Sequence, residues 1–217
     1  MAFKVGILLI AVLAVSITSI LGHGRLSDPP HRGYAWKMGF DTPENYNDHE
    51  NYCGGFTKLM KHLTIDTIIF IRKFLLCGDN YSDKQPRDNE NGGLYGTGTI
   101  VKTTFMGVNV DLTSSHLGHF EFSLCPLEYE DQLETEECFD AHKLQLVDGS
   151  GCNFTNVHDS ADYKVKLVLP KDLTCKHCVL RWHYRAGNNW GECEDGEGAL
   201  GCGDQEVFRT CSDISIV

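Results

Sequence analysis

The residue best placed to do chemistry is His23. It follows MAFKVGILLIAVLAVSITSILG, in which Lys4 precedes an apolar run from about Val5 to Val15 and small polar residues lead to Gly22. That order is the mark of a cleavable secretory leader, and the run is short for a membrane-spanning helix. Cleavage after Gly22 would expose the α-amine of His23 beside its own imidazole. Both nitrogens can close a chelate ring on one metal ion, and a second histidine can complete a three-nitrogen set. Such a set suits Cu(II), which heads the divalent affinity order. The ordinary pKa of the amine is about 7.7–8.0, so the metal must displace a proton and affinity weakens as pH falls.

Cysteine supplies the other reactive chemistry. Ten cysteines occur, at positions 53, 77, 125, 138, 152, 175, 178, 193, 202 and 211. In an oxidising compartment they allow up to five disulfides, whose connectivity the sequence leaves open. Cys175 and Cys178, with His177 and His183 nearby, also match part of a zinc site, but no second ligand pair follows, and disulfides are the preferred reading. His31, His49, His119, His142 and His158 show no ligand spacing and are expected to be surface or structural residues. The acidic run EYEDQLETEE (128–137) lacks the glycine turn of a calcium loop and is expected to be a solvated face. Asn80-Tyr-Ser82 and Asn153-Phe-Thr155 permit glycosylation.

The elements that must position these residues are mostly strands. TIVKTTF, VNVDLTS, HFEFSLCP, KLQLV, YKVKLVLP, CVLRWHYRAG and EVFRTCSDISIV are short and separated by turn residues. Val165, Leu167 and Leu169 alternate with lysines, as a half-buried strand requires. The pattern predicts an all-β sandwich. Residues 23–57 and 78–98 read as ordered loops, and 58–76 as an ambiguous, helix-like segment. With 41% hydrophobic and 23% charged residues the composition is that of a globular chain. The formal charge of −11 argues against a nucleic-acid partner. No second segment can span a bilayer, since Asp66, Arg72 and Lys73 interrupt TIDTIIFIRKFLL. The expected product is a secreted, extracellular monomer: a leader at 1–22, then a single domain at 23–217 with no membrane attachment.

Four blocks carry a resemblance: HGRLSDPPHRGYAW at the expected mature start, DHENYCGGF, GHFEFSLCP, and LTCKHCVLRWHYRAGNNWGECEDGEGALGCGDQEVFRTCSDI. Together they resemble the lytic polysaccharide monooxygenases, in particular the animal branch, auxiliary activity family fifteen, with its chitin-binding type-4-like domain. The resemblance covers most of 23–57, 77–102 and 112–214. It implies an immunoglobulin- or fibronectin-III-like β-sandwich with long loops and several disulfides. It also implies a copper monooxygenase catalytic domain with one copper per chain, held by the amine and Nδ1 of His23 and by His116. Phe208 would stand beside the axial position, with Glu206 near the metal to orient an oxidant or place a proton. Ser114 replaces a small alanine usual beside the open axial site.

The implied reaction takes electrons from an external donor and uses hydrogen peroxide or dioxygen as co-substrate. It hydroxylates C1 or C4 of a sugar beside the glycosidic bond, which then breaks. Crystalline chitin is the first substrate expected and cellulose the second. Tyr34 and Trp36, in the loop after His23, are the candidate polysaccharide contacts.

Three departures bear on these expectations. Segment 58–76 does not resemble the family, and a cysteine usual just before the CGD at 77–79 is missing while Cys152 is unfamiliar. One or two free thiols are therefore expected. The stretch from Lys102 to His116 is shorter than usual, which predicts a truncated strand leading into His116. The competing readings are a non-catalytic polysaccharide-binding protein of the same fold and a disulfide-rich extracellular structural protein.

Overall fold

The computed structural model describes residues 23–55, 76–96, 100–103 and 106–217. The expected leader, and all of the ambiguous 58–76 segment except Leu76, lie outside the described residues. Among the described residues no helix is long and apolar enough to cross a membrane.

Strands dominate the chain. They are β1 (His23–Asp28), β2 (Val101–Thr103), β3 (Met106–Ser114), β4 (His119–Pro126), β5 (Gln145–Leu146), β6 (Ala161–Val168), β7 (Cys175–Arg185), β8 (Trp190–Glu192), β9 (Gly198–Leu200) and β10 (Val207–Ile216). One sheet runs β1-β3-β6-β5 and a second β2-β10-β7-β4, with β8 and β9 forming a separate hairpin. Leu26, Val108, Val110, Leu112, Val165 and Leu167 of the first sheet pack with Phe120, Phe122, Leu180, Trp182, Tyr184 and Phe208 of the second in one buried cluster. Alternate residues reach that cluster from each strand, which is the pleat expressed as packing. The result is an immunoglobulin-like β-sandwich.

The expected ordered loop at 23–57 needs one correction. Its first six residues are strand β1, with Gly24 and Leu26 buried and Arg25 and Ser27 half-buried. HGRLSD is too short for its alternation to declare itself, and pairing with β3 decides the outcome. β3 is nine residues long and pairs with β6 at seven positions.

The outer face of the second sheet is covered as well. Val179 and Cys211 on that face pack with Leu76, Cys77, Leu127 and Phe139. Phe139 belongs to helix α1 (Glu136–Ala141), whose N-cap Thr135 accepts a hydrogen bond from the Cys138 amide. Disulfides join Cys77–Cys211, Cys125–Cys138, Cys175–Cys178 and Cys193–Cys202. Cys53 and Cys152 are free, which agrees with the expected broken pairing. Cys175 and Cys178 are bonded to each other, and His177 contacts Asp213 at 2.7 Å, so the zinc alternative has no donor set here.

In the acidic run Glu128, Glu130, Asp131 and Glu137 are exposed, as expected of a solvated face, and two carboxylates depart from it. Glu134 is buried against Arg32, while Glu136 meets Arg181 at 2.6 Å and Arg209 at 3.1 Å. These carboxylates are internal counter-ions, not a solvated face. Their partners lie far away in sequence, so nothing local announces them.

Candidate metal centre

His23 and His116 arrive at one end of the sandwich by strand pairing. His23 opens β1 and is the register partner of Ser114, the last residue of β3. His116 follows two residues later, in the turn between β3 and β4. That turn is tightly specified: Gly118 has φ +82°, and a Cβ there would lie 2.0 Å from the Arg185 carbonyl oxygen. The His116 amide donates to the Tyr184 hydroxyl at 2.7 Å, and its carbonyl accepts from the Gly187 amide at 2.8 Å. Burial pushes the Tyr184 hydroxyl up to about 12, so it stays a neutral anchor.

The backbone of His116 is therefore held on both sides, and its side chain is not. The residue is 5% exposed, yet neither ring nitrogen has a hydrogen-bond partner. Glu206 Oε2 lies 3.4 Å from His116 Nδ1 but without hydrogen-bond geometry. Burying an unsatisfied polar group costs about 1–3 kcal/mol. A cation accepting a nitrogen lone pair would offset that cost. On this test the residues fit a metal ion.

Glu206 and Phe208 stand around the ring of His116. Glu206 directly precedes β10, and its carbonyl accepts from the Ala186 amide at 2.9 Å. Gln205 fixes the same stretch, accepting from the Asn189 amide and donating to the carbonyls of Asn189 and Cys202. Phe208 is buried, stacked on Tyr184 and edge-on to His116 with centroids 6.4 Å apart. Glu206 and Phe208 both meet His116, as residues two apart on one side of an extended chain should.

Tyr34 and Trp36 lie within and just before a 3-10 turn over Ala35–Met38. Both are half-buried. Tyr34 has the Arg25 guanidinium 4.3 Å from its ring centroid and stacks with His31. Trp36 donates to the Asn45 carbonyl and meets Tyr46 edge-on. The more exposed rings are Tyr46 at 74% and Trp190 at 72%, which sequence reasoning did not single out. Exposure of a single ring has no periodic signal, so only the structure identifies them.

His49, expected to be a surface or structural residue, is about a third exposed and stands edge-on to His23 with ring centroids 5.2 Å apart. Its carbonyl accepts from the Gly24 amide at 3.0 Å, a contact that no ligand spacing predicts. Glu50 Oε1 lies 3.1 Å from His23 Nε2.

Comparison with known proteins gives a family. Residues 23–214 match the family model described as lytic polysaccharide mono-oxygenase, cellulose-degrading. A search of curated proteins found no match. Among solved structures, the AA15 lytic polysaccharide monooxygenase from Thermobia domestica in the Cu(I) state is 43% identical, with a TM-score of 0.80 over 89% of this chain and 98% of that one. LPMO10B from Micromonospora aurantiaca is 12% identical, with a TM-score of 0.47 over 90% of this chain and 100% of that one. A β-sandwich matched along 23–214 and to this Thermobia domestica structure places the chain in the lytic polysaccharide monooxygenase family, in its animal AA15 branch.

Proposed function

We propose that the chain is a secreted copper monooxygenase that breaks glycosidic bonds oxidatively in crystalline polysaccharide, chitin first and cellulose second. The observation that carries this reading is the pair of unsatisfied nitrogens on buried His116, two residues beyond the strand partner of His23. Two comparisons support it: the family match begins at His23, and the Thermobia domestica relative is described in a Cu(I) state.

Removal of residues 1–22 would leave His23 as the first residue, and its amine and Nδ1 would hold one copper together with a nitrogen of His116. Copper held there would supply one-electron chemistry with hydrogen peroxide or dioxygen, given an external electron donor. The protein's own residues do the rest. Glu206 holds a carboxylate near the His116 ring, where it orients the oxidant and accepts or returns a proton. Phe208 offers no ligand atom, so it limits access on its side with a ring that Tyr184 holds in place. Ser114 sets the approach of β1 to β3 at the site's edge.

Trp36, with Tyr46 edge-on to it, offers an aromatic ring for a sugar to stack on, and Tyr34 supports that loop. A net charge of −11 does not impede a neutral polymer.

The test is to incubate copper-loaded mature protein with chitin and with cellulose, a reductant and peroxide. Oxidised oligosaccharides from at least one polymer are expected. Binding to the polymer with no oxidised product from either would support the non-catalytic alternative instead.

A further inference from the structure

His23 has two ring nitrogens, and the copper reading uses only Nδ1. Its Nε2 is buried, has no hydrogen-bond partner, and lies 3.1 Å from Glu50 Oε1. The Nε2 of His49 lies 4.0 Å from the same oxygen. One ligand atom each from His23, His49 and Glu50 falls within 4.8 Å of the others. Two donors about 2.0–2.1 Å from one tetrahedral zinc ion sit roughly 3.3 Å apart. The observed separations bracket that value, so small side-chain rotations would suffice.

The surroundings favour the same use. Nδ1 of His49 lies 3.4 Å from Asp48 Oδ1. Asp48 is itself a buried carboxylate, held ionised by Lys37 at 2.7 Å and Arg25 at 2.6 Å. A carboxylate on one ring nitrogen fixes the proton there and turns the lone pair of the other outward, as in carboxylate–histidine–zinc arrangements. The side chains of His23, His49 and Glu50 are each about a quarter to a third exposed, so water can fill a fourth position.

We propose that His23 Nε2, His49 Nε2 and Glu50 form a second divalent-cation site that takes Zn²⁺. A neutral imidazole has one lone pair. His23 therefore cannot serve this site and the copper chelate at once, and Zn²⁺ competes with copper loading. The site stands on its own geometry, while the competition rests on the copper reading above.

The experiment is calorimetric titration of metal-free protein starting at His23 with Zn²⁺ alone, then with Cu(II) at several fixed Zn²⁺ concentrations. One Zn²⁺ per chain is expected, with apparent copper affinity falling as Zn²⁺ rises. His49→Ala and Glu50→Gln should each weaken Zn²⁺ binding by on the order of 10- to 100-fold or more. Both should also abolish the shift in copper affinity. A variant with one residue added before His23 blocks the amine, so it should lose tight copper binding and keep Zn²⁺. Unchanged Zn²⁺ affinity in His49→Ala, no Zn²⁺ binding by the parent, or loss of Zn²⁺ in the extended variant would overturn the proposal. Weak copper binding by the parent in zinc-free buffer would instead contradict the copper reading and leave the Zn²⁺ result to stand alone.

Discussion

Arg32 and His116 are both almost wholly buried, yet their polar atoms are treated in opposite ways. Nε and one terminal nitrogen of Arg32 donate to the two Asp213 oxygens at 2.8 and 2.6 Å. The other terminal nitrogen donates to Glu134 and to the Asn89 carbonyl. Every nitrogen is used, and the group ties the loop after β1 to β10 beside the Cys77–Cys211 disulfide. His116 uses neither ring nitrogen. A buried polar group with all its partners is scaffold, whereas the unpartnered ring of His116, two residues beyond the strand partner of His23, is free to hold something the chain does not itself supply. An unpaired atom alone is not enough. Both ring nitrogens of His31 also lack partners, but that ring stacks on Tyr34 and does not follow the strand partner of His23, and Trp182 Nε1, likewise unpartnered, is a donor without a lone pair.

If that contrast holds, Arg32→Ala is the costliest change. It would leave Asp213 and Glu134 buried without their counter-ion, which costs about 3–5 kcal/mol. Urea unfolding should show that loss, while the fraction still folded keeps its metal affinity. A loss below about 1 kcal/mol would mean that water reaches the network and that the contrast with His116 is false.

The next test sharpens the comparison through pH. Burial pushes His31 down to about 4, so it is neutral in the folded chain and protonates more readily when unfolded. Stability from this residue is fully present above the ordinary value of about 6.5 and is lost as pH falls towards 4, by roughly 3 kcal/mol. Asp213 behaves in the lower window. Although burial opposes it, Arg32 and His177 hold its carboxyl down to about 2, so its contribution fades only as pH falls below the ordinary 3.8. His31→Gln should remove the loss between pH 6.5 and 4 and leave the steeper acid limb. A loss that persists unchanged would assign the slope to other histidines.

The smallest effect concerns the thiols. Cys53 is fully buried, and burial pushes its thiol up to about 12, whereas Cys152 is half-buried. In native protein a thiol reagent should label Cys152 and spare Cys53, with both labelled after denaturation. Native labelling of Cys53 would mean that the stretch around Cys53 opens, and that the scaffold half of the comparison is less fixed than Arg32 suggests.

The sequence carried some of this and withheld the rest for physical reasons. Strands such as β6 were legible because lysines alternate with apolar residues on a half-exposed sheet. The expectation for His23 came from chelate chemistry, and those for His116, Glu206 and Phe208 only from the family's motifs; the structure gathers the last three around one ring. Glu134, Glu136 and His49 were not legible, because what gives each its role lies across the fold. Arg32 and Arg209 come from separate stretches, and His49 meets His23 only because the Gly24 amide bonds to its carbonyl. Two free thiols could be anticipated from a missing cysteine, but the four pairings could not.

The most direct test of the central claim is copper titration followed by electron paramagnetic resonance, on mature protein and on His116→Ala, with the melting temperature measured alongside. Mature protein should bind one copper with nitrogen hyperfine structure. His116→Ala should lose affinity by on the order of 100-fold or more while still folding. An unchanged spectrum and affinity in His116→Ala would contradict the account, because the unpartnered lone pair of that ring would then have no role in holding metal.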